Sequence, residues 1–129
     1  MTIKIITNNP LLAEDLKKQE CDYLFSNQQA QVLLLLARDL ILKGWRLAAD
    51  PLSGYNKKIN SYHTIFLTND SNYNLADYYN DIIRLEEAAN HLNDPRRSKS
   101  EDIPRVVRGY MQLDYSLACS TLELLKMKY

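Results

Sequence analysis

Ile3-Lys4-Ile5-Ile6-Thr7-Asn8-Asn9-Pro10-Leu11-Leu12-Ala13 is the stretch on which the fold turns. Its first half is a short β-branched run that suits a strand, and Asn followed by Pro then supplies a helix cap and a first helical turn. The spacing predicts a strand over 3–6 entering a helix that ends around Gln19, with Leu11, Leu12, Ala13 and Leu16 on its apolar side. Glu14 and Asp15 near the helix start complement its dipole.

Working outward, 21–25 reads as a second strand, and Ser26 and Asn27 are cap candidates for a helix over 28–43 that stops at Gly44. The run 32–37 is apolar nearly all round, so this helix is expected to be the most buried. Strands follow over 45–49 and 62–67. Leu75, Tyr78, Tyr79, Ile82, Ile83 and Ala89 share helical spacing over 74–92, with Glu86 out of character on that stripe. A polar loop over 96–102 leads to Pro104, which opens a last helix whose apolar stripe includes Asp114, a carboxylate in need of a partner.

The order β-α-β-α-β-β-α-α predicts one α/β domain over 1–129. Alternating strands and helices favour a small three-layer unit with a mainly parallel sheet of about four strands and about four helices. The segment 50–61 has no helical pattern and reads either as a loop crossover or as a long hairpin connection.

Composition narrows the function classes. Sixteen Lys and Arg balance sixteen Asp and Glu, so the net field draws the chain neither to nucleic acid nor to an anionic membrane. No apolar run approaches the roughly twenty residues of a membrane span, and the N-terminus goes into a strand without a signal-peptide pattern, so a cytoplasmic location is expected. Cys21 and Cys119 lack a Cys-x-x-Cys partner, which argues for two reduced thiols and no metal site. Without a Gly-rich strand-turn-helix fingerprint, no nucleotide cofactor is expected.

Candidate ligand-binding residues sit at the ends of predicted strands, where open α/β sheets bind ligands. Thr7-Asn8-Asn9 and Thr68-Asn69 form an internal echo, each pair at a strand-to-helix junction. Asp50, Ser53 and Gly54 follow the third strand, and in a parallel sheet all of these would stand on one edge, offering hydroxyl, amide and backbone groups to a small polar or anionic ligand. The same residue types also serve as caps and turns. His63 and His91 show no triad or metal spacing; Asp50, Ser53 and His63 are the one polar group to consider for catalysis. Arg96, Arg97, Lys99, Arg105 and Arg108 form a basic cluster that Asp94, Glu101 and Asp102 dilute, which reads as a solvated loop.

Lys4-Ile5-Ile6-Thr7-Asn8-Asn9-Pro10-Leu11, Arg38-Asp39 with Lys43-Gly44, and Pro51-Leu52-Ser53-Gly54 together resemble the GrdX proteins over most of the chain. Members of that family are encoded with the glycine, sarcosine and betaine reductase components of amino-acid-fermenting anaerobes. The resemblance implies an accessory or regulatory protein acting in reductive amino-acid fermentation, with a reductase component as protein partner. Two other readings stand beside it: a binding module for an amino acid or acyl phosphate, and an enzyme of unspecified reaction. The apolar faces of 74–92 and of the last helix further suggest a homodimer, with packing of the two helices on each other as the alternative.

Overall fold

The computed structural model describes residues 2–51, 58–59, 61–69, 74–92, 98–99 and 104–128. Along the chain the elements are β1 (Ile3–Thr7), α1 (Pro10–Lys18), β2 (Asp22–Phe25), α2 (Ala30–Leu42), β3 (Arg46–Leu47), β4 (Lys58–Ile59), β5 (Thr64–Thr68), α3 (Leu75–Leu92), β6 (Ser98–Lys99) and α4 (Pro104–Lys128). Four helices and a four-stranded sheet make an α/β fold, and β4 and β6 form a separate two-residue parallel pair. Ser53, Gly54, Arg96 and Arg97 lie outside the described residues.

Sheet order is β2-β1-β5-β3. β1 and β2 are parallel and joined by α1. β5 runs antiparallel to both its neighbours, with Thr7 facing Thr64 and Ile3 facing Thr68 on one side, and Arg46 facing Thr68 on the other. The sheet is therefore mixed and mostly antiparallel, which corrects the expectation of a mainly parallel one. Parallel neighbours need a crossover, usually a helix; β3 and β5 instead pair antiparallel as neighbours in the sheet.

The pleat of the sheet sends alternate side chains to two separate cores. Ile6, Ile65 and Leu67 face α2 and α3, packing with Leu33, Leu34, Ala37, Ile41, Leu85, Ala88 and Leu92. Ile5 and Phe66 face α1 and α4, packing with Leu12, Leu16, Ala118, Leu122 and Leu125. Each fully buried Leu or Ile among them contributes roughly 1.5–3 kcal/mol by leaving water. Because α3 and α4 belong to different cores on opposite faces, they do not form the helix hairpin that the sequence left open.

Local chemistry sets the helix ends. Asn9 caps α1 by accepting from the Leu11 amide at 3.1 Å, ahead of Pro10 in the first turn. Asn74 and Asp77 exchange reciprocal bonds of 3.0 and 3.1 Å, a capping box at the start of α3. Gly44, at φ 107°, ends α2, with its own N–H donating to the Ile41 carbonyl and that of Trp45 to Leu40, the Schellman pattern. Ser26 and Asn27 do not cap α2: the Ser26 amide donates to the Thr7 carbonyl and prolongs the β1–β2 ladder, so the chain is still extended there and the helix starts at Ala30.

Two burial expectations change. α2 buries Ala30, Leu33, Leu34, Ala37 and Ile41 but leaves Leu35 and Leu42 exposed, because it packs on the sheet and α3 from one side only. On α3 the buried stripe is Asp81, Leu85, Ala88 and Leu92, whereas Leu75, Tyr79 and Ile83 face outward. Asp81 rotates the helix inward at this point. Its carboxylate accepts the Leu47 amide at 3.0 Å and lies 3.6 Å from Arg46 Nε, so it closes the open edge of β3.

Candidate functional site

Three consecutive residues at the end of β1 tie β1 to α1, β5 and α4 and to the residues leading into α2. Asn8 donates both amide hydrogens, to the carbonyls of Gln28 and Ser61 at 2.9 Å each, and its Oδ1 accepts the His63 amide at 2.8 Å. Asn9, with no solvent exposure, donates to the Met111 carbonyl at 3.0 Å and to Asp114 Oδ2 at 2.9 Å while its Oδ1 caps α1. Both amide side chains are thus fully engaged within the chain, joining α1 and α4 to the residues that precede α2 and β5 around one corner of the sheet.

A directed chain of hydrogen bonds runs through this corner. Thr64 Oγ1 donates to Asp114 Oδ2 at 3.0 Å, which uses its single hydrogen, so at 2.9 Å it must accept from Thr7 Oγ1. Thr7 in turn accepts the Asn9 amide at 3.0 Å. The order is Asn9 N–H to Thr7 hydroxyl to Thr64 hydroxyl to Asp114, and each link polarises the next. This is the partner that Asp114 required on the apolar stripe of α4.

Beside the network lies a small cleft of about 40 Å³, lined by Ala49, Asp50, His63, Thr64, Phe66, Asp114, Leu117, Ala118 and Thr121. At about 10–15 Å³ for each water-sized sphere, the space holds roughly three waters or a ligand of a few heavy atoms. The Ala48 amide donates to the Phe66 carbonyl at 2.8 Å, extending the β3–β5 pairing and setting Ala49 and the exposed Asp50 at the rim. His63 is buried, and burial lowers its imidazole from 6.5 to about 4, so the ring is neutral at pH 7. Burial pushes the Asp114 carboxyl above its ordinary range, opposed by its hydrogen bonds from Asn9 and Thr64. Among the described residues, no Lys or Arg lines the cleft.

Of the residues singled out by sequence, Thr7, Asn8, Asn9 and Asp50 stand at this end of the sheet together with His63. Thr68 and Asn69 stand at the other end, opposite Ile3, because β5 runs against β1. There Asn69 Oδ1 accepts the Thr2 amide at 2.7 Å, and the Asn69 amide donates to the Thr2 carbonyl at 3.3 Å. The Thr68 hydroxyl is buried with no hydrogen-bond partner among the described residues. Thr68→Val keeps the shape and removes that unsatisfied group, so urea denaturation is expected to show unchanged or higher stability, by up to about 1 kcal/mol. A loss of more than about 1 kcal/mol would mean that the hydroxyl has a partner in solution.

Thr64, Asp114 and Thr121 were not singled out as site residues. Asp114 carried a signal, a carboxylate on an apolar helical stripe, but nothing in the local pattern tells which strand end faces it. Among the described residues no group of three or more His, Cys, Asp or Glu side chains is arranged to hold a metal ion, and no helix is long and apolar enough to cross a membrane.

No curated protein and no solved structure matches the chain significantly. The GrdX-like protein family model matches residues 4–123, a span that contains the capping asparagines and every described residue lining the cleft. The chain therefore belongs to the GrdX-like family.

Proposed function

We propose that this protein is a non-enzymatic accessory or regulatory member of the machinery of reductive amino-acid (glycine) fermentation, acting through a protein partner, with a reductase component as the first candidate. Family membership supplies the context. The observation that carries the reading is the outer ridge of α3, where Leu75, Tyr79 and Ile83, four residues apart, are 67%, 56% and 49% exposed. Spacing of this kind aligns apolar anchors along one helix face, the pattern by which a helix docks into a partner's groove. Tyr78 packs against the core and meets the Tyr79 ring edge-on at 5.8 Å, which holds the ridge in place.

Affinity capture from a glycine-grown anaerobe that carries this protein tests the reading. A reductase component is expected to co-purify with the wild-type chain and to be lost with the double substitution Tyr79→Glu and Ile83→Glu, both at exposed positions that leave the core intact. Recovery of no reductase component or regulator, or undiminished recovery by the double variant, overturns it. The competing use of the same surface is a homodimer through α3, or through α4 with its exposed Leu113, Leu117, Leu124 and Met127. A stable dimer should bury more than about 1,000 Å², and light scattering would then give twice the monomer mass.

A second reading, a small-molecule binding module, is favoured by the cleft, where a buried carboxylate, two hydroxyls and an imidazole meet an apolar floor. For the enzyme reading, Asp50 and His63 share the cleft while Ser53 lies outside the described residues. An imidazole held near 4 is a weak base at neutral pH, which disfavours His63 as a general base.

A further inference from the structure

We propose that the cleft between the β3 and β5 ends of the sheet and α4 recognises a small organic ammonium group, with the Asp114 carboxylate as its counter-ion. The proposal rests on the small-molecule reading and names the ligand class for it.

Hydrogen-bond bookkeeping within the cleft decides the sign of the ligand. Thr64 gives its hydroxyl hydrogen to Asp114, and Thr121 gives its own to the Leu117 carbonyl at 2.9 Å. Both Asn9 amide hydrogens are engaged as well. The side-chain hydrogens of Asn9, Thr64 and Thr121 are therefore engaged within the chain, while acceptor lone pairs remain on the carboxylate and the two hydroxyls. Asp114 is only 9% exposed, and Oδ2 takes both of its hydrogen bonds; Oδ1 takes none among the described residues, and the side chain lines the cleft. A charged donor entering the cleft satisfies such an oxygen with a charge-assisted bond.

Three features select an ammonium group over other donors. Asp50 adds a second carboxylate at the rim and no Lys or Arg is present among the described lining residues, so an anion such as an acyl phosphate meets like charge from them. A metal ion lacks its ligand set, as no three His, Cys, Asp or Glu side chains among the described residues are arranged for one. An ammonium head has three hydrogens, which match Asp114 Oδ1 and the lone pairs of Thr64 and Thr121, and Phe66, Leu117 and Ala118 accept the carbon next to it. The volume admits such a head and little more, so the rest of a larger ligand would leave through the open side near Asp50.

The test is an amide-resolved NMR titration of the full chain at pH 7 with methylammonium chloride, tetramethylammonium chloride and sodium acetate at equal ionic strength. Methylammonium is expected to give saturable shifts centred on Ala49, Thr64, Asp114 and Thr121. Tetramethylammonium, which has charge but no hydrogen to donate, and acetate are expected to give none. Asp114→Asn retains a carbonyl oxygen for the Asn9 and Thr64 donors and turns an amide N–H₂ toward the cleft. It should weaken methylammonium by roughly tenfold to a hundredfold, the loss of one hydrogen bond to a charged group. Thr121→Leu, which leaves Asp114 and its partners untouched, should also weaken binding, so that the result does not depend on the folding of one variant. Equal shifts with tetramethylammonium, or methylammonium shifts that survive both substitutions, overturn the proposal. Cleft-centred shifts with acetate alone overturn the ammonium assignment and leave the small-molecule reading standing; no shift with any of the three removes both.

Discussion

Asn9→Asp is expected to lower stability by about 3–5 kcal/mol at pH 7, the range for an uncompensated buried charge. Asn9 is fully buried, and its Nδ2 stands 2.9 Å from Asp114 Oδ2 and 3.0 Å from the Met111 carbonyl. Aspartate has nearly the same shape and can still cap α1 through one oxygen. The other oxygen replaces two donated bonds with a negative charge facing a carboxylate and a carbonyl. Two carboxylates so close cannot both stay ionised, and one is forced to hold a proton. The penalty relative to wild type should therefore shrink as the pH is lowered, since a shared proton restores one donor. Asn9→Ala leaves the same acceptors unmet without adding charge and should cost about 2–3 kcal/mol, a cap plus an unsatisfied buried group, with no such recovery in acid. Urea midpoints at pH 7 and pH 5 distinguish the two variants. An Asn9→Asp midpoint within about 1 kcal/mol of wild type would refute the view that this corner is held by the asparagine amide.

Acid is expected to weaken the wild-type fold through His63. Its imidazole is lowered by burial from 6.5 to about 4. Between those values the unfolded chain binds a proton at this position and the folded chain does not, so unfolding is favoured as the pH falls. The contribution is fully present above pH 6.5 and is lost progressively down to about pH 4, amounting to roughly 3 kcal/mol over the window. Asp50 and Asp114 share the cleft with the imidazole. Asp114 acts in the opposite sense at the acid end: its carboxyl is raised in the fold, so it holds a proton there that the unfolded chain releases, and this partly offsets the loss. His63→Gln should flatten the dependence between pH 6.5 and 4 whatever its effect at neutral pH. A wild-type chain whose urea midpoint does not change over that interval would show that His63 is not held neutral by burial.

The proposal of a protein partner and the ammonium site concern different faces. The α3 ridge lies on the side of the α2–α3 core, and the cleft on the side of the α1–α4 core. Tyr79→Glu with Ile83→Glu should leave methylammonium binding unchanged unless the two faces are coupled through β5, which contributes to both cores with Ile65, Phe66 and Leu67.

Local rules determined which segments became helix and strand. The β-branched run of β1, the Asn9-Pro10 entry to α1, the left-handed Gly44 after α2 and the Pro104 start of α4 follow from conformational preferences that act over a few residues, so they are legible in sequence. The need of Asp114 for a partner was equally legible, because a carboxylate on a buried stripe must be satisfied wherever the chain goes. What tertiary structure alone decided was direction and facing. Whether β5 ran with β1 or against it was not fixed by local preference, and its antiparallel course sent Thr68 and Asn69 to the far end while bringing His63 and Thr64 to Asn8, Asn9 and Asp114. Likewise, α3 turned Asp81 inward and Tyr79 outward because β3 offered an amide and an Arg46 side chain to be paired. Helical periodicity defines a stripe, but the polar partner that pulls one side of it inward is brought up by distant parts of the chain, and only the assembled sheet supplies it.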